Sequence, residues 1–138
     1  MTDPNYKCAF AATLIGHDHG CEHAAAVVRR SGPDIACRDG QAHHLCGLIY
    51  DTLKTAALPA FGVEDDLLSM PHSVMAKVQF GGLLGLQQVL DGSATSTGRV
   101  ENIAQLISHV SARYPDPQLL PLHEIVPTIT AVKLRRRR

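Results

Sequence analysis

The sequence contains no tryptophan, and aromatic residues make up only 4% of its 138 residues. Proteins bind single-stranded nucleic acids largely through aromatic side chains on which the bases stack, so a nucleic-acid partner is not expected. No apolar stretch reaches the roughly 18 residues that a membrane-spanning helix requires. The first residues also lack the basic and apolar segments of a secretory signal, and we therefore expect a cytoplasmic protein.

The chain has no net charge, but its 13 basic and 13 acidic residues are unevenly distributed. Five of the basic residues fall within residues 133–138, which form a basic tail. Residues 1–132 hold eight basic against 13 acidic residues and are predicted to form a single domain. Because this body offers no broad basic surface, duplex DNA is not expected as a partner. The tail is interpreted either as a solvated end or as a site for an acidic partner.

Motifs of common catalytic sites are missing as well. The sequence contains no HExxH metalloprotease motif, no phosphate-binding loop and no recognisable nucleophile motif. The acidic run Glu64–Asp66 precedes two leucines and is interpreted as the first turn of a helix, where carboxylates favour the helix dipole. We therefore expect a protein that works with a partner, not a stand-alone enzyme.

Apolar residues recur mostly at helical spacing, and strand signals are few. We predict an all-α fold, an irregular bundle of about five helices with a proline-rich, extended C-terminal tail. The predicted helices cover residues 3–14, about 20–30, 41–58, 71–91 and 100–114, with a linker at residues 92–98. The proline-rich segment between residue 114 and the basic tail has four prolines in thirteen residues. It is predicted to be extended, with a short strand near its end.

Three glycines, Gly81, Gly82 and Gly85, lie inside the otherwise apolar fourth predicted helix. Each glycine costs about 1 kcal/mol relative to alanine in a helix interior, so their presence needs a reason. A face of small residues lets another element approach the helix backbone closely. We interpret these glycines as a packing face within the domain or as a face for a partner.

All four cysteines lie within the first third of the chain, residues 1–46. Cys8, Cys21, Cys37 and Cys46 have the spacing C-x12-C-x15-C-x8-C. Thiols stay reduced in the cytoplasm, so such cysteines indicate ligands, redox chemistry or burial before disulfides. In the predicted fold Cys8 and Cys21 belong to the first two helices, Cys37 to a loop and Cys46 to the third helix.

Three interpretations of these cysteines remain open. A [4Fe–4S] cluster takes four thiolates and can collect them from separate helices and loops, and it would serve electron transfer or redox sensing with a protein redox partner. Structural zinc usually takes its ligands in pairs spaced C-x2-4-C, which the chain lacks, so a zinc-stabilised interaction module with mixed Cys and His ligands is the alternative. Four unrelated, buried cysteines would need no metal at all.

Histidines accompany the cysteines on both sides. His17, His19 and His23 surround Cys21, and His43 and His44 precede Cys46. Imidazoles can serve as additional metal ligands or donate hydrogen bonds to ligands, and they can equally be ordinary polar residues of a loop. We predict the cluster ligands to be the four cysteines, with these five histidines as possible additional or supporting groups.

Overall fold

The computed structural model describes residues 6–15, 19–30, 32–61, 72–91 and 100–132. Its elements are β1 (Tyr6–Lys7), α1 (Ala11–Ile15), β2 (Ala24–Arg29), β3 (Gly32–Cys37), α2 (Gly40–Ala57), α3 (His72–Asp91), α4 (Ile103–Arg113) and α5 (Leu122–Ala131). The predicted all-α fold is wrong, because the three strands form an antiparallel sheet in a structure that is otherwise mostly helical.

Strand β3 lies at the centre of the sheet, between β1 and β2. The β2–β3 hairpin pairs Arg29 with Gly32 at the turn and Ala24 with Cys37 at the open end. Gly32 has a φ of +116°, a conformation that side-chain-bearing residues rarely adopt. Tyr6 of β1 also pairs with Cys37, so the last residue of β3 has a strand neighbour on both sides.

The prediction of a helix at residues 20–30 is wrong, since this segment forms β2. Ala26 and Val28 are exposed while the residues between and after them are partly covered, the two-residue alternation of a strand. Val28 is 87% exposed on an edge strand. The alanines suggested a helix, but pairing with β3 and the β-branched valines decide the local structure.

Asp34 of β3 joins the three strands through its side chain. Its carboxylate accepts hydrogen bonds from Arg29 Nε of β2 at 2.7 Å and from Lys7 Nζ of β1 at 3.2 Å. Burial of Asp34 opposes its negative charge, but hydrogen bonds from the Ile35 backbone N–H, Lys7 and Arg29 outweigh that effect and hold its pKa below the usual range.

The first helix, predicted over residues 3–14, is helical only near its end among the residues that the structure describes. Tyr6 and Lys7 form a strand, and the Cys8 backbone N–H donates to the Ile35 carbonyl at 3.1 Å. Helix α1 has only five residues. Phe10, between the strand and α1, is fully buried in the core.

Helices α2, α3 and α4 lie where the apolar spacing predicts them. Asp39 is the N-cap of α2, and its side chain accepts the Gln41 backbone N–H at 3.1 Å. The buried stripe of α2 runs through Cys46, Ile49, Leu53 and Ala57. Cys46 therefore belongs to the same face of the helix as the core residues.

The predicted extended C-terminal tail is also wrong, because residues 122–131 form helix α5. Pro117 opens a short 3₁₀ turn and Pro121 is the N-cap of α5, positions where a missing N–H costs little. Pro127 lies inside α5 and is tolerated there. Ile125 and Ile129 of α5 are fully buried.

The glycines of α3 lie against neighbouring elements of the same domain. A Cβ atom at Gly81 would lie 2.6 Å from Ile129 Cα, and one at Gly85 would lie 2.8 Å from Ile125 Cγ2. At Gly82 the nearest atom is Leu53 Cδ1 of α2, at 2.8 Å. Bare backbone at these positions lets α5 and α2 pack directly on α3, which accounts for the glycines without an external partner.

Candidate metal centre

The four cysteines come together in space although they belong to four different segments. Cys8 follows β1, Cys21 lies ahead of β2, Cys37 ends β3 and Cys46 lies in the second turn of α2. All four line one small cavity, which we call the cysteine cavity. Its other lining residues are Ala9, His23, Ala24, Ala42, His43, Ile103 and Ala104.

The cysteine cavity is narrow and largely apolar. Its volume is about 10 Å³, close to that of one water molecule. Four of its lining residues are alanines, and no Lys or Arg lines it among the described residues. The thiols therefore have no protein cation beside them to balance a negative charge.

Burial and mutual proximity both affect ionisation of the thiols. Loss of solvent raises the pKa of Cys8 to about 11, partly opposed by a hydrogen bond from the Phe10 backbone and reinforced by Cys21 and Cys37. Desolvation also raises the pKa of Cys46, and again the other three cysteines add to the shift. The pKa of Cys37 is raised by burial as well. Without a cation, the cavity thus favours neutral thiols.

The residues that lead into helix α4 hold the Cys21 segment in place from far along the chain. The Gly20 backbone N–H donates to the Val100 carbonyl at 2.9 Å, and the Ile103 N–H donates to the Gly20 carbonyl at 2.7 Å. Asn102 Oδ1 accepts the Glu22 backbone N–H at 3.2 Å, while Asn102 Nδ2 donates to Glu22 Oε1 at 3.1 Å. These contacts fix Cys21 at the edge of the cavity.

The five predicted histidines have different surroundings. His17 lies outside the described residues. His19 is 2% exposed, and its Nδ1 accepts the Val100 backbone N–H at 3.0 Å, so this ring supports the fold. His44 is exposed on α2. Of the histidines that the structure describes, His23 and His43 line the cysteine cavity. The Nε2 atom of His23 lies 3.5 Å from Glu22 Oε2 and 3.4 Å from Asp39 Oδ2.

Two open clefts share cysteines with the cavity. Cys46 and His23 also line a cleft of about 450 Å³ that carries the carboxylates of Glu22 and Asp39. Cys8 also lines a second cleft, of about 400 Å³. A partner or solute can therefore approach the thiols from either of two directions.

Several contributors to this site were not predicted from the sequence. The small residues that line the cavity and the α4 segment that anchors Cys21 carry no motif. Asn102 is the N-cap residue of α4, yet its side chain makes no cap hydrogen bond and bonds to Glu22 instead. Glu64–Asp66, the linker at residues 92–98 and the basic tail lie outside the described residues.

Searches of protein-family models, of curated proteins and of solved structures found no match to this chain. Among the described residues, no group of three or more His, Cys, Asp or Glu side chains is placed to hold a metal ion, so the four cysteines would have to move to become ligands of one. Within the same residues no helix is long and apolar enough to cross a membrane.

We expect metal binding at this site to depend steeply on pH. Cys8, Cys37 and Cys46 all have raised pKa values and keep their protons at neutral pH, so a thiolate-bound metal must displace at least these three protons. Each displaced proton changes the apparent affinity about tenfold per pH unit, so affinity for Co²⁺ should rise at least about 1,000-fold per unit between pH 6 and pH 8. Anaerobic titrations that follow the cobalt–thiolate absorption measure this slope, and an affinity independent of pH would contradict thiolate ligation.

Proposed function

We propose that Cys8, Cys21, Cys37 and Cys46 hold a [4Fe–4S] cluster, and that the protein serves electron transfer or redox sensing. The observation that carries this proposal is that all four cysteines of the chain line the same cavity. Successive cysteines are 13, 16 and 9 residues apart in sequence and come from four segments, so their convergence is a property of the fold. When bound, such a cluster accepts and donates single electrons.

The chemistry of the donor set supports this assignment. Four thiols match the ligand number of a [4Fe–4S] cluster, and the four segments supply one ligand each, as a cluster of several atoms allows. The cavity is lined by small apolar side chains, which restrict solvent access and so affect a reduction potential. A bound metal must displace the protons that the raised pKa values of Cys8, Cys37 and Cys46 retain, which is a cost of loading the site at neutral pH.

Zinc is the second candidate, and the size of the cavity favours it. A volume of about 10 Å³ suits a single ion better than a four-iron cluster, whose binding requires the cysteine side chains to turn outward. In this case the metal would stabilise the sheet against α2 and α4, and the protein would act as an interaction module.

Metal analysis of protein purified without oxygen distinguishes the two candidates. A cluster predicts a brown protein that absorbs near 400 nm, with about four iron and four sulfide per chain. One tightly held zinc per chain and no visible absorption would establish the second candidate instead. A colourless protein without metal, whose four thiols all react freely once it is unfolded, would contradict both, provided that anaerobic reconstitution with iron and sulfide also fails.

A further inference from the structure

The two histidines of the cysteine cavity differ in what their ring nitrogens contact. His23 directs Nε2 towards Glu22 and Asp39, at the boundary with the 450 Å³ cleft. His43 has a different environment, because its Nδ1 is buried and has no hydrogen-bond partner among the residues the structure describes. A buried polar nitrogen left unpaired costs about 1–3 kcal/mol, so a partner is expected for it.

Contacts that do not involve Nδ1 hold the His43 ring in position. The ring stacks on Tyr6 of β1, with 4.9 Å between centroids and an angle of 29° between planes. The His43 backbone N–H donates to the Asp39 carbonyl at 2.9 Å in the first turn of α2. The ring is therefore held between β1 and α2 by contacts that leave Nδ1 unused, in a residue that lines the cysteine cavity.

We propose that His43 donates a hydrogen bond through Nδ1 to a sulfur of the metal centre, and so tunes and retains that centre. This inference rests on the proposed function and assigns one supporting group to it. Of the polar side chains that line the cavity, the four cysteines are the ones whose sulfur atoms would carry negative charge in the loaded protein. An N–H donor to such a sulfur stabilises the more negative, reduced form of the centre. His43 is thus a positioning and tuning residue, not a ligand.

Two substitutions separate the hydrogen bond from the ring. His43→Phe keeps a ring that can stack on Tyr6 but removes the donor. His43→Asn removes the ring but places an amide nitrogen at the same distance along the side chain as Nδ1. His44→Ala is the matched control, since the neighbouring histidine is exposed on the same helix.

The measurements are made on full-length protein reconstituted anaerobically with iron and sulfide. For His43→Phe we expect the equilibrium between oxidised and reduced centre to shift about tenfold towards the oxidised form, a midpoint potential lower by about 59 mV for one electron. Iron should also be retained about 10–100-fold less tightly against a chelator. His43→Asn should stay within about threefold of the wild type in both quantities, and His44→Ala should match it.

Thermal midpoints of the metal-free proteins provide the structural control. If His43 served only to pack on Tyr6, His43→Asn would be the more damaging substitution and His43→Phe would keep the wild-type potential, which overturns the inference. Equal shifts in both variants would also overturn it. A wild-type protein that takes up no iron removes the proposed function and this inference together, whereas loaded wild-type and His43→Phe proteins with equal potentials remove the inference alone.

Discussion

Replacing any one of Cys8, Cys21, Cys37 and Cys46 with alanine is expected to remove most of the iron from the protein. The four side chains line one cavity, so under the proposed function each substitution would delete one ligand of the same centre. Because the binding energy of such a centre is also folding energy, each variant should lose thermal stability together with its metal. Iron content and the thermal midpoint of anaerobically prepared variants measure both effects.

The same four variants should behave differently in the metal-free state. Cys37 and Cys46 are 7% and 8% exposed, so each should cost about 1 kcal/mol of packing when shortened to alanine. Cys8 and Cys21 are half-buried and should cost less. Thr52→Ala, on the exposed side of α2, is the control and should leave the iron content unchanged. A graded loss that follows burial alone, in the presence of iron, would mean that the cysteines are unrelated thiols.

Substitution of Gly81 by alanine is expected to give the largest loss of stability outside the cysteines. The new Cβ would lie 2.6 Å from Ile129 Cα and 3.2 Å from the Thr128 carbonyl oxygen, both backbone atoms of α5. Backbone cannot move aside as a flexible side chain does, so α5 must shift away from α3. We expect the free energy of unfolding to fall by about 2–3 kcal/mol, which lowers the thermal midpoint by about 10 °C.

Gly47→Ala is the matched control for this prediction. Gly47 also lies inside a helix, α2, but no atom lies within 4 Å of the position its Cβ would take. Alanine there restricts the unfolded chain without a clash, and should raise the free energy of unfolding by about 0.4–1 kcal/mol. Denaturant unfolding of both variants tests the pair. If Gly81→Ala also stabilised the protein, the close packing of α5 on α3 would be contradicted.

Helices with a clear apolar face were the part of the fold that the sequence could predict. Helix α2 combines a capping aspartate, apolar residues at helical spacing and a proline after its end, and these local signals agree. The β2 segment lacks such agreement. Alanine favours helix and valine favours strand, and the choice depends on pairing with β3, which no local pattern of residues 24–29 encodes.

The C-terminal prediction failed for a related reason. The prolines predict a break in helical structure, whereas two of them begin a helical element and Pro127 is held within α5 by tertiary contacts. Burial of Ile125 and Ile129 against the glycines of α3 outweighs the missing hydrogen bond. That contact joins segments about 40 residues apart and is not visible in either segment alone.

The candidate site, like the fold, was predictable from the sequence only in part. The position of all four cysteines within residues 1–46 predicts that they lie near one another, and in the structure they line one cavity; a metal held by them stays a prediction. The selection of His43 among five histidines required coordinates, since only the structure shows that His43 lines the cavity whereas the adjacent His44 is exposed. The contribution of Ala104 and Ile103 could not be predicted, because small and apolar residues carry no chemical signature.

The hydrogen bonds between the Cys21 segment and the start of α4 determine when the site can be completed during folding. Glu22 and Asn102 are 80 residues apart, and closing so long a loop is costly before other contacts form. A nascent chain that has reached the end of α2 already carries every thiol, but the backbone groups that position Cys21 have not yet been synthesised. Assembly of a metal centre would therefore follow docking of the C-terminal helices, and a loaded centre would mark a chain whose two halves have joined.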